Sequence, residues 1–182
     1  MRKLTASFYM SLDGVVDAPQ EWHFPMVDDE MMSDTTASLE ESDTILLGRA
    51  TYQEWAAFWP GQSAGNPMAG YFNSTQKLVV STTLASADWE NSTLIASDVP
   101  ERIESAKRQQ GKNISVTGSG TLVRSLLGHG LVDELRLMIH PIVVGRGKRL
   151  FRDGDQGSLL ELVDSRTYPS GVLNLTYVPS TE

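Results

Sequence analysis

The stretch I-S-V-T-G-S-G-T-L-V, Ile114–Val123, decides how this chain is read. An alternating apolar run ends in Thr117. A tight Gly118-Ser119-Gly120 turn follows, and Thr121 then opens an amphipathic segment, Leu122–Leu127. A strand that turns through glycines into a helix start is suited to an anion. The first N–H groups of a helix lack intrahelical partners and point outward with the positive end of the dipole. Glycine lets a phosphate approach the backbone closely. The stretch therefore reads as a nucleotide pyrophosphate site.

The rest of the composition narrows the setting. A chain of 182 residues with 40% hydrophobic content suits one globular domain, residues 1–182. No apolar run approaches the about 20 residues needed to span a bilayer, so no membrane partner is expected. Met1–Ala6 leads into an alternating pattern without a cleavage motif, so no signal peptide is read. The chain has no cysteine, which removes disulfides, thiolate metal sites and cysteine nucleophiles and fits a cytoplasmic location. His23, His129 and His140 show no metal-ligand spacing, and no metal is expected. A net charge of −8 argues against nucleic acid as a partner. An anionic cofactor is compatible with it, because local N–H groups and a few cations decide that binding.

Along the chain, strands alternate with helices. Lys3–Ser11 alternates and turns at Leu12-Asp13-Gly14; Asp28–Glu41 reads as a helix with an acidic first turn. Thr44–Leu47 is a short buried strand ended by Gly48, and Ala50–Phe58 a helix. Pro60–Gly70 reads as a Gly/Pro/Asn loop, the segment expected to move most. Lys77–Ser81 and Ser92–Ile95 are strands, and Pro100–Gln110 is a helix with Gly111 at its end. Glu134–His140 is a strand closed by Pro141, and Leu159–Tyr168 with Val172–Val178 forms a terminal hairpin. The pattern implies a three-layer α/β fold with a mostly parallel sheet and an antiparallel edge.

Two further corners share the chemistry of the first. Leu47-Gly48-Arg49-Ala50-Thr51 is again strand, glycine, helix start, with a guanidinium fork at Arg49 and a hydroxyl at Thr51. Val80-Ser81-Thr82-Thr83 ends a strand in consecutive hydroxyls. Ligands collect at the carboxyl ends of parallel strands, so the three corners belong together. Each alone is ordinary turn chemistry. Two other meanings of Gly118-Ser119-Gly120 fit poorly. A dinucleotide fingerprint needs a small residue where Val123 stands and an acid about 20 positions on. A phosphate loop needs a following Gly-Lys-Ser/Thr, which is missing.

Five segments, in this order, resemble the dihydrofolate reductase-like superfamily, in the branch that holds the reductase domain of the riboflavin-pathway bifunctional deaminase-reductase. They are Ser11–Gly14, Asp43–Tyr52, Val116–Leu122, Gly130–Leu135 and His140–Phe151. The resemblance implies a mixed, mostly parallel sheet of about eight strands flanked by helices. It implies NADPH across the strand ends and hydride transfer to a pyrimidine-like, pterin-like or related small molecule. Carried over by position, Gly48, Arg49 and Thr51 would hold cofactor phosphates. Ser81 and Thr82 would meet the 2′-phosphate side. Thr117, Gly118, Ser119, Gly120, Thr121 and Leu122 would wrap the pyrophosphate. It also implies association, with the terminal strands and the run Leu135–Val144 as candidate homodimer interface. The deaminase half of the riboflavin enzyme needs a cysteine-bearing zinc site, so deamination is excluded here.

The substrate side is less defined. Asp13 is the leading polar candidate beside the nicotinamide, its bland reading an Asx turn with Gly14. Trp22 and Phe24 suit stacking on a flat ring or packing as a lid. Asp28, within the acidic cluster Asp28-Asp29-Glu30, is the candidate substrate carboxylate; the same cluster would serve the helix dipole. His23 and His140 are minor candidates, and Arg146 stands where relatives often carry glycine. A nucleotide-binding module without turnover is the alternative function.

Overall fold

The computed structural model describes residues 1–63 and 65–180. One eight-stranded sheet runs through it, in the order β4-β3-β2-β5-β1-β6-β8-β7. The strands are β1 (Leu4–Ser11), β2 (Ser42–Gly48), β3 (Gln76–Val80), β4 (Ser92–Ile95), β5 (Asn113–Val116), β6 (Glu134–His140), β7 (Leu160–Thr167) and β8 (Leu173–Pro179). Neighbours from β4 through β6 are parallel; β8 pairs antiparallel with β6 and with β7. The expected class, mixed and mostly parallel with a closing hairpin, is the one observed.

The helices are α1 (Asp29–Glu40), α2 (Arg49–Phe58), α3 (Pro67–Ser74), α4 (Val99–Arg108) and α5 (Gly120–Gly128). They cover both faces of the sheet, which is why β2 reads T-I-L-L without alternation. Leu46 enters a core with Leu4, Ala6, Phe8, Ile103, Ile114 and Leu126, on the α4 and α5 side. Ile45 and Leu47 point the other way, into a core with Tyr52, Phe72 and Trp89 from α2, α3 and the β3–β4 loop. Met31 of α1 packs with Tyr168 and Val172 of the hairpin in a third cluster.

Three expectations change. The Pro60–Gly70 loop contains a helix start: Asn66 Oδ1 accepts from Met68 and Ala69 N–H, and Pro67 opens α3. Ala64 of that loop lies outside the described residues. Gly111 does not cap α4, which ends at Arg108 with Gln109 as its cap. The run Leu135–Val144 is no outer surface for most of its length. β6 lies inside the sheet, with Leu135 and Leu137 buried; Val143, beyond the strand, is 70% exposed. Exposed apolar side chains do lie at β7, where Leu159, Leu162 and Val163 are open at the sheet edge.

Candidate functional site

β2 and β5 are neighbours, with Leu46 opposite Val116, so their two glycine corners leave the sheet side by side. The Gly48 N–H donates to the Gly118 carbonyl at 3.2 Å. A Cβ on Gly48 would lie 2.8 Å from Ser119 Oγ, and one on Gly118 would lie 2.5 Å from Thr51 Oγ1. These glycines therefore let the corners touch each other. The sequence suggested that they open space for a phosphate; the close approach they permit is between two helix starts.

The consequence is electrostatic. Gly48 caps α2 without a side chain, so the Arg49, Ala50 and Thr51 N–H groups keep no capping acceptor. Ser119 caps α5, and its Oγ accepts from Leu122 N at 3.3 Å, leaving the first N–H groups at Gly120 and Thr121. Neither helix has an acidic residue in its first turn, whereas α1 has Asp29 and Glu30 and α4 has Glu101. Two positive dipole ends thus converge uncompensated, with exposed Arg49 beside them. The Thr117 Oγ1 is buried at the same place without a hydrogen-bond partner.

Other residues of the corners have internal duties. The Leu122 side chain is in the core and its N–H is capped, so it is not free to wrap a ligand. The Ser81 hydroxyl is buried and accepts from Thr83 and Leu84 N–H at 3.1 and 3.0 Å, a turn cap; Thr82 is exposed. Thr121 Oγ1 accepts from Arg124 at 3.1 Å.

Asp13 holds a loop. Its carboxylate accepts from Ser11 Oγ at 2.7 Å, Val144 N at 3.0 Å and Gly145 N at 2.9 Å. The Ser11 hydroxyl foremost, then the Val144 and Gly145 N–H groups, hold it down at about 2. It stays ionised at neutral pH and fastens the end of β1 to the segment after β6, a positioning residue and a poor proton donor. A carboxylate whose folded value lies below its ordinary 3.8 stabilises the fold above that pH and loses the effect as pH falls toward 2. Asp13→Asn is therefore expected to flatten the loss of Tm between about pH 4 and pH 2. An unchanged acid profile of Tm would count against this role.

Asp28 is likewise a fastener. Its Oδ1 caps α1, accepting from Met31 N at 2.9 Å, and its Oδ2 accepts from Ser170 N of the hairpin at 3.2 Å. These bonds, Met31 first, lower its pKa. It is not presented to a substrate, and the dipole reading is the one that fits. Trp22 is buried, its Nε1 donating to the Asp17 carbonyl at 3.1 Å, whereas Phe24 is exposed.

What sequence reasoning missed is the grouping behind them. Ser11 pairs with His140 across β1 and β6, and His23 returns onto that spot. The His23 ring stacks on Tyr9 at 4.6 Å, and the His140 ring meets Tyr9, Trp22 and His23 edge to face. Only the strand order places residues 23 and 140 together, so spacing carries no signal of it.

With this fold and its two corners, the chain can be set beside known proteins. The model of the RibD C-terminal domain matches residues 2–174. This chain belongs to the RibD C-terminal domain family. The Bacillus subtilis (strain 168) protein YyaP, itself uncharacterized, is 32% identical over 180 residues, covering 97% of this chain and 94% of YyaP. Among solved structures, a putative riboflavin biosynthesis protein from Shewanella sp. PV-4 superposes with a TM-score of 0.78 at 19% identity, covering 98% of this chain and 99% of that one. Dihydrofolate reductase from Enterococcus faecalis, complexed with NADP(H), gives 0.64 at 16% identity, covering 98% and 96%. The fold of this RibD C-terminal domain protein is thus reductase-like. Among the described residues, no helix is long and apolar enough to cross a membrane.

Proposed function

We propose that this chain is an NADPH-dependent reductase acting on a small heterocyclic, pyrimidine- or pterin-like substrate. The observation that carries the reading is the pair of uncompensated helix N-termini at Gly48 and Ser119, with Arg49 alongside. That donor set fits a pyrophosphate. The N–H groups of Arg49, Ala50 and Thr51, with those of Gly120 and Thr121, would hold it; Arg49 and Thr82 would meet a 2′-phosphate. Bound there, the cofactor supplies a hydride. This chain's own part is to orient the two partners and exclude water. Asp13 and Asp28 are engaged elsewhere, so water is the proton source in this reading.

Arg49→Ala is expected to weaken NADPH about tenfold to a hundredfold, the worth of a charge-assisted contact, and to change NADH little. Fluorescence titration of both nucleotides measures this. Equal loss for both nucleotides would remove Arg49 from the 2′-phosphate, and no binding of either would end the reading.

The engagement of both carboxylates also supports the second reading, a nucleotide-binding module without turnover. Tight NADPH binding with no oxidation against a pyrimidine and pterin panel would select it. We also infer that the exposed β7 edge, with Leu162 and Val163, pairs two copies as a homodimer; sedimentation velocity tests this.

A further inference from the structure

We propose that Asp17–Val27 is a pH-sensitive plug over the ends of β1 and β6, latched by the His23–His140 pair. Both rings are buried, at 8% and 0% exposure. The His140 Nδ1 lies 2.9 Å from the Met138 carbonyl, so that nitrogen carries the proton and donates it. Its Nε2 is then a bare lone pair, buried without a partner, and His23 Nδ1 is buried and unpartnered too. The two ring centroids are 5.9 Å apart.

Among the described residues no counterion awaits an imidazolium here. Tyr9 faces the pair from β1, and burial raises its pKa, so it stays neutral. From the plug, Asp17 turns to Lys148 at 3.6 Å and Glu21 to Arg146 at 3.8 Å. Asp13 is held by Val144 and Gly145, and Asp28 by α1 and the hairpin. Among the described residues no carboxylate pairs with either ring. Burial is the largest cause and pushes both imidazoles below 6.5; His140 pushes His23 further, while the Met138 and Met10 carbonyls act the other way on His140.

The sign follows. In an opened plug both rings meet water and regain an ordinary value near 6.5. Below that pH the open form binds more protons, so the closed-to-open ratio falls by up to about tenfold per pH unit for each ring. Opening is opposed by the burial of Trp22 and by Met26 and Val27, which pack against Met31, Tyr168 and Val172; polar ties across the boundary are weaker. The outer ion pairs are long and exposed. Trp22 is bonded within the segment, to Asp17, and leaves with it. Ala18 sits at φ 44°, a left-handed conformation that alanine adopts at a cost and that opening relieves. Because β1 lies next to β5, the uncovered wall adjoins the Gly118–Gly120 corner. That acid opening would admit the acceptor rests on the reductase reading; the opening itself does not.

The test uses the whole chain labelled with 5-fluorotryptophan, without nucleotide, titrated from about pH 8 to about pH 5. Trp22→Phe assigns one of the four tryptophan signals. The Trp22 fluorine resonance is expected to move toward its solvent-exposed position with a midpoint below 6.5, while Trp55, Trp59 and Trp89 hold still. The double variant His23→Gln/His140→Gln is expected to abolish the movement. A still Trp22, a movement that persists in the double variant, or all four signals moving together overturns the plug. Should the double variant fail to fold, imidazole carbon titration of the unaltered chain decides: ordinary or raised midpoints for both rings overturn it. NADPH titration at neutral pH is a separate result, so failure of the plug and failure of the reductase reading are told apart.

Discussion

Gly118→Ala is expected to weaken NADPH binding by about a hundredfold, more than any other single methyl added at this edge. The new Cβ would lie 2.5 Å from Thr51 Oγ1, 3.1 Å from its Cγ2 and 3.3 Å from its Cβ. Threonine has only two common χ1 rotamers in a helix, and its Cβ stays at 3.3 Å whichever it adopts. Thr51 belongs to the first turn of α2, so the methyl pushes the start of α2 away from the start of α5. Overpacking of this kind costs about 1–3 kcal/mol of stability. The larger loss is functional. In the proposed reading, two sets of N–H groups that would share one anion come to point past it, and the neighbouring Gly48 N–H is expected to lose its bond to the Gly118 carbonyl. Gly118→Ala/Thr51→Ala separates packing from chemistry. Removing Oγ1 and Cγ2 leaves the 3.3 Å contact, which a shift of a few tenths of an ångström relieves, so the pair is expected to recover most of the affinity. Calorimetric titration of both variants with NADPH measures it. Undiminished binding in Gly118→Ala would mean that the corners need not touch.

The same corner marks how far sequence carries. Strand, glycine and helix start were legible at Gly48 and at Gly118, because turn chemistry is local and leaves local residues. The mostly parallel sheet was legible too, since alternation of short apolar runs with amphipathic segments is a local pattern. What the glycines face was not. Gly118 meets Thr51 and Gly48 meets Ser119 only because β2 and β5 are neighbours, a fact of strand order. Asp13 misled for the same reason, its carboxylate being satisfied by Val144 and Gly145, which the sheet brings back to it. His23 and His140 form their cluster across β1 and β6, with no periodicity to announce it. The start of α3 is a different case. Asn66-Pro67 is a local cap-and-proline signal, but the surrounding Gly, Pro and Asn outweighed it.

Lys77 is the residue whose importance the sequence hid most fully, and Lys77→Met is expected to destabilise the fold by about 3 kcal/mol or more. Read in sequence, it is a polar residue at the start of a strand. In the structure it is 0% exposed. Its Nζ donates to the carbonyls of Phe72 at 2.7 Å, Asn73 at 3.2 Å and Thr75 at 2.7 Å, and lies 4.3 Å above the Trp89 ring. Phe72 and Asn73 are near the end of α3, where helix carbonyls lack partners and the dipole favours a cation. Methionine fills the volume and leaves the Phe72 and Thr75 carbonyls without this donor, each worth about 1–3 kcal/mol when unsatisfied, while the Asn73 carbonyl keeps its bond from Asn91 Nδ2. The loss spreads, because Asn73 also accepts from Trp89 Nε1 and Trp89 N donates to Tyr52 of α2. The charge itself is a burden on the fold. Burial pulls Lys77 down to about 8, with Glu90 acting the other way. Between that value and the ordinary 10.5 the unfolded chain holds a proton that the folded chain has released. Stability therefore rises with pH across that window, up to the onset of tyrosine ionisation near 10 in the unfolded chain. Urea midpoints of the unaltered chain should climb from about pH 7.5 to about pH 9.5, and those of Lys77→Met should be lower and flat. A variant as stable as the parent would show that water or a neighbouring donor reaches those carbonyls, and that α3 does not depend on Lys77 for its end.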